Sequence, residues 1–244
     1  MSRTTREIDG ALLVDKGATW TSHDVVAKIR NHFKLKKVGH CGTLDPAATG
    51  LLVLLLGKAT KLSERLMGQD KFYEGTVRFG EATDSYDADG EVTATNLVPP
   101  LNLDQLNEEA KAFVGDMMQT PPMVSAVKVD GVPLYKMARK GKTVERKPRL
   151  IHVYRLKFDS YTEPEGTFKL ACTKGTYVRT IAHELGENIG CGAHLKALRR
   201  TRSGTFDVQK AQTIDSLLKL SPEEFESRVI PFLELSQSKE STSS

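Results

Sequence analysis

Cysteine is scarce in this chain. Cys41, Cys172 and Cys191 are an odd number, far apart, and no Cys-x-x-Cys pair occurs. A disulfide framework and a structural zinc site are therefore not expected. Histidine is sparse too, six residues scattered along 244. The fragment His183-Glu184-Leu185-Gly186-Glu187 lacks the second histidine, four residues after the first, that a helical zinc site needs, so no metal is expected. Long apolar runs are missing. The longest, Leu51 to Leu56, is far short of the roughly 20 residues that cross a bilayer, so no membrane partner is expected. Met1-Ser2-Arg3-Thr4-Thr5-Arg6 leads into Asp9 without an apolar stretch of signal-peptide length, and a cytoplasmic location is the expectation.

Net charge is also small, +4 with a pI of 8.8, and by itself says little about an anionic partner. Its distribution says more. Lys136, Arg139, Lys140, Lys142, Arg146, Lys147 and Arg149 lie in one stretch with a single acid, Glu145. A second cluster holds Lys196, Arg199, Arg200 and Arg202, and a third holds Lys28, Arg30, Lys34, Lys36 and Lys37. Local excess of this kind suits phosphate contact and steering of a polyanion, although each cluster alone also reads as a solvated face.

With 39% hydrophobic and 27% charged residues, the chain has the ordinary balance of a globular protein able to bury a core. Ala11 to Asp15 reads as a short buried strand, followed by a helix capped by Thr21 or Ser22 and carrying Val25, Val26, Ile29 and Phe33 at helical spacing. A turn-rich stretch from Gly39 to Gly50 precedes Leu51–Leu56, a run bounded by glycines that fits a strand buried on both faces. Further on, a short helix is expected over 62–67, strands over 72–79 and from Glu91, and a helix over 103–113. Strands are also expected over 125–129, 150–160, 167–173 and 206–209, with a last helix over 213–220. Residues 176–188 read as strand or turn continuing into helix. One mixed α/β domain with a basic excursion near 121–149 and a disordered, serine-rich tail over 236–244 is the economical reading.

The most informative stretch is Gly39-His40-Cys41-Gly42-Thr43-Leu44-Asp45-Pro46-Ala47-Ala48-Thr49-Gly50. Glycines allow close backbone approach, and Pro46 biases Asp45 towards an extended conformation. One carboxylate is thus presented on a shaped loop at the edge of a core strand, where function commonly sits. Equally, Gly-Thr-Leu-Asp-Pro is the pattern of a tight turn whose aspartate accepts backbone hydrogen bonds.

The run from Val38 to Leu62 closely resembles the signature of TruB-type pseudouridine synthases. The resemblance continues through Asp70-Lys71-Phe72-Tyr73, Thr83 to Gly90, Gln119-Thr120-Pro121-Pro122, Lys174 to Arg179 and Leu198 to Gly204, in the family's order, across roughly residues 9 to 210. It implies an α/β fold with a central, mostly antiparallel sheet flanked by helices, a catalytic domain over 1–235, and a basic segment over 121–149 that clasps RNA. It implies isomerisation of uridine 55 in the T-loop of tRNA, with the T-arm as partner; no cofactor is expected, and a monomer is the expectation for the oligomeric state. By the same resemblance Asp45 is the catalytic aspartate, Tyr73 stacks on the base, and Tyr177 is a second active-site tyrosine. Arg179 pairs with the carboxylate, Leu198 lines an apolar pocket, His40 helps hold the flipped-out T-loop, and Lys61 is a basic residue near the site. Arg139, Lys140, Lys142, Arg199 and Arg200 are candidates for contact with the RNA backbone.

The chemistry these residues would perform breaks the ribose C1′–N1 bond, rotates the base and rebonds through C5. No redox group or metal is needed, and one carboxylate suffices as nucleophile or base. Attack on the base, attack on C1′ and proton abstraction at C2′ all remain open. The target must be extruded, and an aromatic face offers about 1–3 kcal/mol of stacking. If residues 177–179 form a strand, Tyr177 and Arg179 project to the same side. Asp84, Asp87 and Asp89 read as turn formers, open to pairing with nearby arginines. Cys41 departs from the threonine expected there. With roughly 35 residues after Gln209, a full C-terminal RNA-binding module of the PUA type is not expected. The rival readings are an RNA-binding or tRNA-folding module without catalysis, and a glycosidic hydrolase, for which no paired acid is evident.

Overall fold

The computed structural model describes residues 5–125, 128–129, 131–133, 137 and 144–237. The chain forms two compact units, one from residues 1–71 and 199–244, the other from 72–198. It is a mixed α/β fold whose sheet is mostly antiparallel, flanked by helices, as expected.

The first unit is organised by Thr49–Leu56, which is buried along nearly its whole length. Leu51 to Leu56 are each at most 1% exposed, so the run bounded by glycines is a strand covered on both faces, each side chain contributing about 1.5–3 kcal/mol of burial. Gly10–Lys16 pairs antiparallel with it from Gly10↔Leu56 to Lys16↔Gly50, and Val38–Cys41 pairs on its other side from Val38↔Leu56 to Cys41↔Val53. Helix Ser22–His32 starts at Thr21, which forms a capping box with Asp24 and satisfies backbone donors that the first turn leaves open. It buries Val25 and Ile29, and Phe33 just beyond it stacks on Phe225 at 3.7 Å between ring centroids. That ring stands on a helix, Pro222–Ser227, and a further helix spans Phe232–Gln237. The latter takes in Ser236 and Gln237, the first residues of the stretch expected to be disordered; 238–244 lie outside the described residues.

The second unit is built on the hairpin of Arg149–Thr162 and Glu165–Cys172, with Gly115–Gln119 pairing along the outer side of the longer strand. Val77, Phe79, Phe158, Phe168, Ile181 and Leu185 fill its core. Helix Leu103–Ala110, capped by Asn102 and Gln105, presents Asn107, whose amide both donates to and accepts from the backbone of Phe158. Helix Val178–Ile189 lays Val178, Ile181, Ala182 and Leu185 into the core.

Three local expectations change. An eleven-residue strand, Ala193–Ser203, runs through the basic stretch that carried no strand signal. Residues 206–209 hold only a two-residue strand, Phe206–Asp207, before a 3-10 turn over Val208–Lys210. Of 125–129, Lys128–Val129 is strand, pairing with Val132–Pro133.

Candidate active site

Asp45 lies in the first unit, half-buried, on the loop between the Val38–Cys41 and Thr49–Leu56 strands. The loop is held from both sides. Ser22, buried at the start of its helix, donates through Oγ to the Leu44 carbonyl at 3.1 Å and accepts from the Leu44 N–H at 2.9 Å. After Asp45, the Pro46 carbonyl accepts from Lys16 Nζ and from the Thr19 N–H, each at 3.0 Å. Lys16 also donates to the carbonyls of Trp20 at 2.8 Å and Gly17 at 3.0 Å. The Ala48 N–H closes a turn onto the Asp45 carbonyl at 3.1 Å.

Arg200 completes this clamp. Its Nε donates to the Leu51 carbonyl at 2.8 Å, Nη2 to Gly42 at 3.0 Å, and Nη1 reaches Thr43 at 3.5 Å. The strand residue itself pairs in parallel with Gly50, whose φ of +96° and the approach of the Arg200 backbone leave no room for a Cβ. Arg200 is only 1% exposed, which corrects its assignment as an RNA-backbone contact: its guanidinium is spent on loop carbonyls inside the unit. Arg199, next along, makes a two-pronged pair with Asp15 at 2.9 and 2.7 Å.

Lys16 is fully buried, and burial pulls its pKa down to about 8. The Asp45 carboxylate opposes that shift and Arg200 adds to it, so Lys16 and Asp45 feel each other's charge. His40 packs edge-to-face on His23 at 5.4 Å. Burial, with smaller contributions from His23 and Arg200, lowers its pKa to about 4, so the imidazole is neutral at pH 7. Its Nδ1 is buried and has no hydrogen-bond partner among the described residues. A neutral ring with one open nitrogen suits a shape and hydrogen-bond role better than pairing with phosphate. Lys61 is exposed on the 3-10 turn Gly57–Leu62. Cys41 is buried, and burial pushes its thiol up to about 12, so it is inert packing.

The other candidates belong to the second unit. Tyr73 and Leu198 are partly buried against its core. Tyr177 does not lie in a strand. It is the N-cap of helix Val178–Ile189, and Arg179 is in the first turn, so the same-side argument for a strand does not apply. Tyr177 is fixed instead by Gln119, whose side-chain amide accepts from its N–H at 2.7 Å and donates to its carbonyl at 3.1 Å. Arg179 is 4% exposed and makes a charge-assisted bond from Nη1 to Asp87 Oδ2 at 3.1 Å. Nη1 also donates to the Ser85 carbonyl at 3.3 Å and Nη2 to the Val124 carbonyl at 2.9 Å. Asp87, read from sequence as a turn former open to pairing with a nearby arginine, does pair with one. Arg139, Lys140 and Lys142 lie outside the described residues. Lys16, Ser22 and Gln119 were missed as site residues. The signals were the position of Lys16, ending an apolar strand ahead of the loop region, that of Ser22 at the start of a helix, and that of Gln119 at the head of a block shared with the family.

Among the described residues no group of three or more His, Cys, Asp or Glu is placed to hold a metal, and no helix is long and apolar enough to cross a membrane. Comparison with known families matches residues 30–178 to the TruB family pseudouridylate synthase N-terminal domain, and 179–233 to the tRNA pseudouridylate synthase B C-terminal domain. The chain belongs to the TruB family of pseudouridine synthases. Among TruB relatives, the tRNA pseudouridine synthase B of Opitutus terrae is 54% identical over 231 residues, covering 95% of this chain and 96% of that protein. That of Syntrophotalea carbinolica is 47% identical over 217 residues, covering 89% and 71%. Solved structures share the fold. A chain from a Cbf5-Nop10-Gar1 complex aligns over 92% of this chain with a TM-score of 0.72 and 28% identity. A chain from an H/ACA RNP bound to a substrate RNA containing 2′-deoxyuridine aligns over 92% with a TM-score of 0.69 and 26% identity. This chain spans 60% of the length of each.

Proposed function

We propose that this TruB-family enzyme converts uridine 55 in the T-loop of tRNA to pseudouridine, acting in the cytoplasm as a monomer, with Asp45 as the reacting carboxylate. The observation that carries the proposal is the clamped loop. Lys16, Ser22 and Arg200 fix the backbone on both sides of one aspartate, which is what a group that must meet a reacting atom within a fraction of an ångström requires. A turn aspartate alone would need no such buried cations behind it.

In the reaction the C1′–N1 bond breaks, the uracil turns within the site, and C5 bonds to C1′. The C5 proton leaves and N1 gains one, so atoms and electrons balance without an external reagent. Asp45 begins the exchange as nucleophile or base. Tyr73 supplies the face on which the extruded base stacks, and Tyr177, Leu198 and Arg179 serve the same chemistry, as the family resemblance implies. Neutral His40 holds the opened loop of the RNA, while Lys61 and the basic 121–149 segment, including Arg139, Lys140 and Lys142, track its phosphates.

The test is incubation of the full chain with unmodified tRNA transcript, followed by mapping of pseudouridine at single-nucleotide resolution. One product at position 55 supports the proposal. Tight binding of tRNA with no pseudouridine anywhere would instead make the chain a binding or folding module.

A further inference from the structure

Tyr86 has no role in the chemistry above, yet its conformation is costly. Its φ of +66° lies in the left-handed region, where a bulky side chain is an outlier and glycine or asparagine would sit more easily. Its ring lies flat on His183, with centroids 3.9 Å apart and planes 8° from parallel. His183 stands on helix Val178–Ile189 four residues after Arg179, on the same face. The helix therefore grips two successive loop residues from two successive turns: Arg179 takes the Asp87 carboxylate, and His183 takes the Tyr86 ring.

We propose that Tyr86 is a positioning residue for the reaction: stacked on His183, it seats the 84–90 loop so that Asp87 holds the Arg179 guanidinium in place. The loop has further ties to the same register. The Leu195 N–H donates to the Tyr86 carbonyl at 2.9 Å, and the Ala88 N–H donates to the Leu195 carbonyl at 3.1 Å. Thr83 Oγ1 donates to the Asp87 carbonyl at 2.7 Å, and Ser85 Oγ bonds the Asp87 carboxylate itself. These ties fix the backbone, but none of them reaches the helix. The stacked rings do, one turn beyond the Arg179 bonds to Ser85 and Asp87. Burial disfavours the charged form of His183, which suits packing of the two ring faces.

The proposal rests on the functional reading above, and its test keeps the two apart. Wild type, Tyr86→Phe, Tyr86→Asn and His183→Ala are compared for pseudouridine formation under single-turnover conditions, tRNA affinity and thermal midpoint. Tyr86→Phe keeps the ring and is expected to stay within about twofold of wild type. Tyr86→Asn suits the left-handed backbone and so folds, but is expected to lose about tenfold or more in rate at unchanged tRNA affinity, because small misplacements of a site group are expensive. His183→Ala should match it, with the double variant no worse than either single one. Wild-type rate in Tyr86→Asn, an equal loss in Tyr86→Phe, or a loss confined to affinity or to the folded fraction would each overturn the proposal. A wild-type chain that makes no pseudouridine would defeat the functional reading instead.

Discussion

Two buried arginines, one in each unit, solve the same problem differently. Arg200 and Arg179 are 1% and 4% exposed, so each guanidinium must find protein partners to replace water. Arg200 donates to three backbone carbonyls, those of Leu51, Gly42 and Thr43, and so fixes the shape of the Asp45 loop. Arg179 donates to the Ser85 and Val124 carbonyls and also to a carboxylate, that of Asp87. A cation bound to carbonyls is architecture, because neutral acceptors hold it in one place whatever happens nearby. A cation shared with carboxylates can respond to charge that appears in a reaction. Burial alone does not tell a structural arginine from a chemical one; the acceptors do.

The sharpest way to break the contrast is Arg200→Leu. It leaves buried carbonyls without donors, at a cost of about 3 kcal/mol or more, and both stability and activity are expected to fall together. For a chain of this size the thermal midpoint should drop by about 6–12 °C. Arg179→Lys should separate the two properties. A point charge cannot span Asp87 and the carbonyls of Ser85 and Val124, so the rate of pseudouridine formation is expected to fall about 10²-fold. Its urea midpoint should move far less than that of Arg200→Leu, and equal losses in both would erase the distinction.

Lys16 sharpens the architectural half. Its pKa falls from 10.5 to about 8 on folding, so the unfolded chain binds the extra proton between those values. Stability of the wild type, relative to Lys16→Met, is therefore expected to rise as pH climbs from about 8 to 10.5. Parallel pH profiles for the two proteins would contradict this. The smallest effect concerns His40, whose pKa falls from 6.5 to about 4. It contributes stability that is present above pH 6.5 and lost as pH falls towards 4, and His40→Gln should flatten that acid limb in chemical denaturation.

The sequence showed some of these features more readily than others. Leu51–Leu56 was visible because a short apolar run between glycines has few other fates. The loop between Cys41 and Thr49 was visible because glycine and proline punctuate it around one carboxylate, although the turn-rich reading from Gly39 to Gly50 hid the end of the strand Val38–Cys41 and the start of Thr49–Leu56. The strand Ala193–Ser203 was hidden because Lys196, Arg199, Arg200 and Arg202 interrupt any alternation, and what buries Arg200 is a set of carbonyls about 150 residues earlier in the chain. Charge counting cannot report that a cation is consumed inside the fold. Gly115–Gln119 carries no β-branched residue, so its strand came only from pairing with Arg149–Thr162. Arg179 was legible by resemblance and a helix was expected to follow, but the choice of Asp87 as its partner was not legible, because that depends on how the 84–90 loop returns to the helix.

The clamp has a purpose only if the carboxylate it displays reacts. The direct measurement is single-turnover pseudouridine formation by Asp45→Asn on unmodified tRNA, with tRNA affinity and thermal midpoint taken on the same preparation. Asparagine keeps the size and backbone of the loop, so binding and folding should stay near wild type while product falls below detection. Turnover at the wild-type rate by that variant would show the loop to be a turn and nothing more.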